Sequence, residues 1–369
     1  MFEACTTIGE APRWDRKEPG TSSSHFRNGR FVNELPPRDS MARAVVKALR
    51  GAPNREPSAA IETIRPRRGD FTARPDELQL TWFGHSSVLV EIGGLRLLTD
   101  PVWGLRASPS RHFGPKRFFD PPMPLDELPD LDAVLISHDH YDHLDHATVV
   151  RLAARGVLFV VPLGVGTRLV SWGVDPARIV ELDWWGEHRI GNVRLVCTPA
   201  RHFSGRSLTD RDRTLWSGWA IIAPGKRVFY SGDTGMSPHF AEIGRRLGPF
   251  AVAMMETGAY DSSWADVHMG PEQAIAAHRA VGGRIFLPLH WGTFNLALHS
   301  WTEPAERAIA EANRLGVEIV TPRPGERIDS ANMPKTSRWW PELPWQSVGE
   351  APVVSSGLEP GAAEPLMAR

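Results

Sequence analysis

The chain has 369 residues, 41% of them apolar, which is enough for one large core or two domains. A formal net charge of −1 argues against a dedicated nucleic-acid binder. Its two cysteines, Cys5 and Cys197, exclude a disulfide framework and a cysteine-rich zinc module, and suit a reducing, cytoplasmic setting. No apolar run approaches the roughly 18–20 residues of a spanning helix, and the N-terminus lacks the basic-then-apolar pattern of a signal peptide.

Residues 1–75 are rich in Arg, Pro, Ser and Gly and read as a flexible basic N-terminal extension. Within it, residues 40–49 predict one short helix, capped by Ser40 and stopped by Gly51. Such an arm either drapes over the surface or touches acidic lipid or a partner subunit. At Leu78 the texture changes. Leu78, Leu80 and Trp82 alternate with other residues, the period of a half-buried strand. Strands at 88–92 and 95–99 follow, joined by a Gly93-Gly94 hairpin turn. Residues 103–130 form a long connection rich in Pro, Arg and Phe, which suits a packed loop near a cleft. Ala133-Val134-Leu135-Ile136 predicts a buried strand. Helices at 145–154 and 164–172 then alternate with strands at 157–162 and 179–182. Strands at 192–198, 215–222, 227–231, 250–255, 285–289 and 317–320, with helices at 239–247, 271–281 and 304–315, complete a domain spanning 76–330. Residues 331–369 read as a Pro- and Ser-rich C-terminal tail. Helices outside and two sheets inside would bury such a pattern, an α/β arrangement.

The chemistry concentrates in residues 137–145, Ser-His-Asp-His-Tyr-Asp-His-Leu-Asp, directly after the buried strand. Holding His138, His140, Asp142 and His143 together is unfavourable unless something positive sits between them. Imidazole and carboxylate are the natural ligands of a divalent cation of borderline hardness. Ligand-type residues recur where other apolar strands end, at His202, Asp233 and His290. A binuclear site follows: His138, His140 and His202 on one metal, Asp142, His143 and His290 on the other, and Asp233 as the bridge. The competing reading makes His202 and His290 plain core histidines. Recurrence at four strand ends counts against it.

The run His138-Asp139-His140-Tyr141-Asp142-His143 resembles the His-x-His-x-Asp-His signature of the metallo-β-lactamase superfamily. From about Leu80 to Thr321 the chain further resembles the N-acyl-phosphatidylethanolamine-hydrolysing phospholipase D group. The likeness is carried by Trp82-x-Gly84-His85, Leu98-Thr99-Asp100-Pro101, Arg106-Ala107-Ser108-Pro109-Ser110, Gly114-Pro115-Lys116-Arg117-Phe118, Glu181-Leu182-Asp183-Trp184-Trp185, Gly232-Asp233-Thr234-Gly235 and His290-Trp291-Gly292-Thr293-Phe294. The resemblance implies an αββα sandwich of two mixed β-sheets flanked by helices, with two Zn2+ ions on the seven residues above; other divalent metals fit the same donors. It also brings in His268, as proton donor or phosphate contact, beside Asp142 and Asp233 as catalytic residues. The null for His268 is a helix-start residue with no task. His85, Asp183 and Glu256 are candidates for orienting ligands or substrate, or are ordinary loop residues.

The expected reaction is hydrolysis of N-acyl-phosphatidylethanolamine to phosphatidate and an N-acylethanolamine, with a hydroxide bridging the metals as nucleophile. No Gly-x-Ser-x-Gly elbow offers a protein nucleophile instead. The alternative is a hydrolase of the same fold acting on a soluble lactone, thioester or small phosphodiester. A nuclease is disfavoured by charge, and a non-enzymatic scaffold by the presence of all seven ligands. A two-chain lipid calls for peripheral membrane contact, with the 103–119 loop, Trp184-Trp185 and Trp339-Trp340 as candidates. Trp184-Trp185 reads better as core, and Trp339-Trp340 equally well as either. A homo-oligomer is compatible with the sequence.

Overall fold

The computed structural model describes residues 7–14, 19–38, 51–71, 77–330 and 336–358. A short N-terminal hairpin pairs β1 (Phe26–Arg27) with β2 (Arg30–Phe31). The expected meander follows as β3 (Gln79–Gly84), β4 (Ser87–Ile92) and β5 (Leu95–Thr99). Gly93 and Gly94 make its tight turn at φ +57° and +78°, angles that cost other residues strain. The chain then runs through β6 (Ala133–Leu135), α1 (His146–Ala153), β7 (Leu158–Pro162), α2 (Val165–Ser171) and β8 (Ile179–Leu182). The second half holds β9 (Glu187–Ile190), β10 (Val193–Thr198), β11 (Gly218–Ala223), β12 (Lys226–Tyr230), α3 (His239–Leu247), β13 (Phe250–Glu256), α4 (Pro271–Val281), β14 (Gly283–Leu289), α5 (Glu303–Leu315), β15 (Glu318–Ile319) and β16 (Arg327–Asp329).

These strands form two seven-stranded mixed sheets, ordered β16-β3-β4-β5-β6-β7-β8 and β15-β14-β13-β12-β11-β10-β9. Strand periodicity decides the packing. Val88 and Val90 of β4 face the second sheet and join one core with Leu195, Trp219, Phe229, Met254 and Leu287. Leu89 points the other way, into a second core with Val149 and Leu152 of α1 and Val165 and Leu169 of α2. The result is the expected αββα sandwich. Besides the β1–β2 hairpin, two strands of the sandwich were not expected. β9 is polar and alternates exposed with half-buried residues at the sheet edge, and β16 is only three residues long.

The described parts of the two terminal segments pack against this sandwich. Phe31 is 1% exposed and belongs to the inter-sheet core, and Trp14 meets Phe26 and Phe31 edge-on at 5.3 and 5.7 Å. The buried Arg206 donates to the carbonyls of Thr7 and Ile8, and the buried Arg168 to those of Ile8 and Gly9. In the tail, Trp340 is buried and donates Nε1–H to Glu306 at 2.8 Å, while Trp339 stacks on Trp291. Trp340 is therefore core, as is Trp184. The difference from a loose arm and tail has a physical reason: each contributes aromatics that complete apolar surface the domain alone leaves open. The helix expected at 40–49 lies outside the described residues. If the arm is part of the core, Phe31→Ala should destabilise the protein by about 3–5 kcal/mol in denaturant titration, the usual cost of a buried Phe truncation. A loss under about 0.5 kcal/mol would mean the hairpin merely rests on the surface.

Candidate metal centre

The polar residues converge because the strands that carry them end along one edge of the sandwich. β5 stops at Asp100, β6 runs into the 137–145 loop, and β10 leads to His202. β12 leads to Asp233, β13 ends on Glu256, and β14 is followed by His290. His85 lies in the turn between β3 and β4. Asp145 closes the loop by capping α1, accepting from Thr148 N at 3.1 Å.

Six of the seven expected ligands surround the seventh. Asp233 Oδ2 lies 3.0 Å from His290 Nε2, 3.1 Å from His143 Nε2, 3.8 Å from His202 Nε2 and 3.9 Å from His138 Nε2. On one side His140 Nδ1 sits 2.8 Å from His138 Nε2 and 3.3 Å from His202 Nε2. On the other, Asp142 Oδ2 sits 3.3 Å from His290 Nε2 and 3.4 Å from His143 Nε2. The donor atoms thus fall into two clusters, with the Asp233 carboxylate between them. The imidazole nitrogens of His143 and His290 face each other at 3.1 Å. Asp233 Oδ1 is buried with no hydrogen-bond partner. Imidazole nitrogens this close together and an orphan buried carboxylate oxygen fit a site for cations.

Several of these groups are held from behind, although His290 Nδ1 is buried with no hydrogen-bond partner. His143 donates Nδ1–H to Asp100 at 2.7 Å, and His202 Nδ1 lies 2.9 Å from the Val267 carbonyl. His85 Nε2 contacts Asp142 Oδ2, an expected ligand atom, at 3.0 Å. Glu256 contacts His268 Nδ1 through Oε1 and accepts from Thr234 N through Oε2 at 2.6 Å. Asp183 follows β8 along the same edge, but it is not part of either donor cluster. Its carboxylate accepts from Trp184 N at 2.8 Å and shapes the turn into β9. Asp100, absent from the expected site, is its best-connected support. This fully buried carboxylate also accepts from Ser137 N at 2.7 Å and from the hydroxyls of Ser137 and Tyr230. An acid at a strand end followed by Pro101 was the available signal.

Burial and charge divide the cluster. Burial holds His138 and His202 well below the ordinary imidazole range and His140 at about 4. Burial would lower His143 and His290 too, but Asp233 and then Asp142 outweigh it. His143 is pushed well up and His290 to about 10. Burial would raise Asp142 and Asp233, yet neighbouring His143 keeps both well below the usual carboxylate range. Burial takes His268 down to about 4 and, with the charge of Asp233, raises Glu256, so this pair favours its neutral forms.

A model of the beta-lactamase superfamily domain matches residues 95–291, over half of the chain. The chain belongs to the metallo-β-lactamase superfamily. It is 39% identical to N-acyl-phosphatidylethanolamine-hydrolyzing phospholipase D 1 of Caenorhabditis elegans, over 62% of this chain and 67% of that one. An uncharacterized protein of Mycobacterium tuberculosis is 45% identical over 86% of this chain and 87% of its own. Among solved structures, the metallo hydrolase Igni18 of Ignicoccus hospitalis shares the fold, with TM-score 0.53 and 23% identity over 68% of this chain and 97% of that one. Within the superfamily the chain falls in the group similar to the phospholipase D relatives, and it is a metal-dependent hydrolase.

Two measurements test the centre. Metal binding must displace the protons that Asp233 and Asp142 keep on His143 and His290, so Zn2+ uptake by the metal-free chain at pH 7 should release them. Apparent affinity should then rise as pH increases from 7 toward about 10, where His290 loses its own proton. Calorimetric heats that do not depend on the buffer's ionisation enthalpy would contradict this. Separately, Asp100→Asn should weaken Zn2+ binding about 10–100-fold in a chelator competition, because His143 loses the acceptor that sets its tautomer. Unchanged affinity would remove Asp100 from the site.

Proposed function

We propose that the protein is a zinc-dependent phosphodiesterase acting on phospholipid head groups, hydrolysing N-acyl-phosphatidylethanolamine to phosphatidate and N-acylethanolamine. The observation that carries the reading is the pair of donor clusters meeting at Asp233 Oδ2. Relatives named for that activity in nematode and yeast, 39% and 32% identical, support the substrate. In this reading His138, His140 and His202 hold one ion, Asp142, His143 and His290 the other, and Asp233 both. A donor set of nitrogen and oxygen without thiolate fits zinc, and equally manganese or iron.

Two bound cations supply a water activated toward a pKa of ~7 and neutralise a phosphodiester's charge. The chain does the rest. Asp142 and Asp233 fix the spacing of the two positions, and His85 keeps Asp142 from rotating. His268 is near the ligands, with ring centroids 5.0 Å from His202 and 5.5 Å from His290, and is partly open to solvent. Glu256 engages its Nδ1, which leaves Nε2 to hold a proton for the departing alkoxide or to contact a phosphate oxygen.

The lipid's approach has a matching surface. Phe113 is 78% exposed, and Leu105 and Leu208 are exposed as well. Arg111, His112 and Arg211 lie beside them in sequence. The 103–119 and 205–213 loops meet through Thr7, which donates to Pro109 O and accepts from Arg206. Apolar tips with basic neighbours suit the interface of a bilayer. Among the described residues, no helix is long and apolar enough to cross a membrane.

Asp233→Asn should lower kcat by at least about 100-fold and reduce metal content, since both positions lose their shared charge. Asp142→Asn should act similarly with one position emptied preferentially. The substrate assignment is checked on vesicles or micelles containing N-acylated and plain phosphatidylethanolamines. Turnover of a small soluble diester with no product from any lipid would reject it.

A further inference from the structure

Asp266 is buried and has no part in the chemistry above, yet separate segments of the chain converge on it. From the N-terminal segment, Arg38 donates its N–H to Oδ2 at 2.6 Å. From the C-terminal segment, Ser356 donates its N–H to Oδ1 and its hydroxyl to Oδ2, each at 2.5 Å. From the His202 loop, the buried Arg201 guanidinium sits 3.2 Å from Oδ2. Arg201 also donates to the Leu35 and Pro36 carbonyls at 3.0 and 3.1 Å, so the N-terminal segment is gripped twice.

The backbone around Asp266 reaches the centre directly. Its carbonyl lies against Gly235, where an added Cβ would come within 1.9 Å of the oxygen. The loop carrying Asp233 therefore closes over Asp266 only because residue 235 is glycine. The next residue, Val267, supplies the carbonyl that faces His202 Nδ1. The one after is His268. Neighbouring ties point the same way: Ser355 donates to Ala265 O at 2.7 Å, and Val353 packs on Gly270.

We infer that Asp266 is a positioning residue: it ties both terminal segments to the three loops that carry His202, Asp233 and His268, which makes those segments part of the framework of the centre. A carboxylate accepting several charge-assisted or backbone hydrogen bonds is a stiff junction. Removing its charge leaves Arg201 buried without its counter-ion, and the freed loop moves Val267 and His268 together. The inference rests on the roles proposed above for His202 and His268. The competing account is an ordinary buried ion pair that stabilises the fold and touches nothing else.

Two full-length variants separate these accounts. Asp266→Asn removes the charge, and Ser356→Pro removes both donors of the C-terminal segment while leaving Asp266 in place. Each is measured for Zn2+ affinity by chelator competition, for kcat and KM on bis(p-nitrophenyl) phosphate, and for thermal unfolding. Expected are about tenfold weaker Zn2+ binding, through His202, and about tenfold lower kcat at similar KM, through His268. In a His268→Ala background, Asp266→Asn should cost no further kcat, because the two act in series. Variants that unfold at lower temperature yet keep wild-type Zn2+ affinity and kcat overturn the inference, as does a fully additive loss in the double variant. If His268→Ala alone keeps wild-type kcat, the role given to His268 fails instead. Zn2+ affinity then decides the case for Asp266 through His202.

Discussion

Four imidazole nitrogens lie 3.0–3.9 Å from one oxygen, Asp233 Oδ2, all of them shielded from water. Burial penalises every charge there, and Asp233 and Asp142 keep His143 and His290 protonated against it. Two of the rings are fixed from behind, His143 by Asp100 and His202 by the Val267 carbonyl. Asp100 sits at the end of β5 between two packed sheets, and it grips His143, Ser137 and Tyr230 at once. The sandwich is the rigid body, and the site is the set of strand ends it holds together.

The metal loop is also braced from its far side. Asp139, a residue of the histidine motif that faces away from the cluster, accepts from Arg168 at 2.6 Å and from Gly205 N at 2.7 Å. Burial alone would raise its pKa, but Arg168 outweighs that and keeps it ionised. Arg206 donates to the carbonyls of Asp139 and Leu144, near the two ends of the loop, at 2.7 and 2.8 Å, and stacks over Tyr141 between them. Burial draws the Arg206 pKa down to about 10, which leaves it charged at neutral pH. A guanidinium that spans the loop in this way sets its curvature, and therefore the separation of His138 from His143. The loop's shape is thus specified by residues over 20 positions downstream.

This explains what was legible beforehand and what was not. The clustered residues could be read because each is a polar residue in an improbable place, following an apolar strand. Strands β3 to β7 and the five helices follow from periodicity, turn glycines and caps such as Asp145. β9 and β16 did not show, because an edge strand of Glu-His-Arg-Ile and a three-residue strand carry little apolar signal. Asp183 and Asp100 look alike in sequence, each an acid just past a strand. Only the fold separates them: one caps its own turn, the other meets a histidine 43 residues away. Phe31 was hidden in an Arg-, Pro- and Ser-rich segment whose composition suggests disorder, and Trp340 in such a tail read equally well as core or membrane contact. Composition averages over a segment, while docking depends on a few aromatics.

A centre this costly to assemble couples stability to metal. Protons on His143 and His290 and ions at the same nitrogens are alternatives, so each bound cation relieves repulsion that the fold otherwise carries. A ligand that binds only the folded chain stabilises it in proportion to the logarithm of its concentration over Kd. The terminal segments, the buried arginines and the Asp100 and Asp266 junctions hold the loops on which that binding depends.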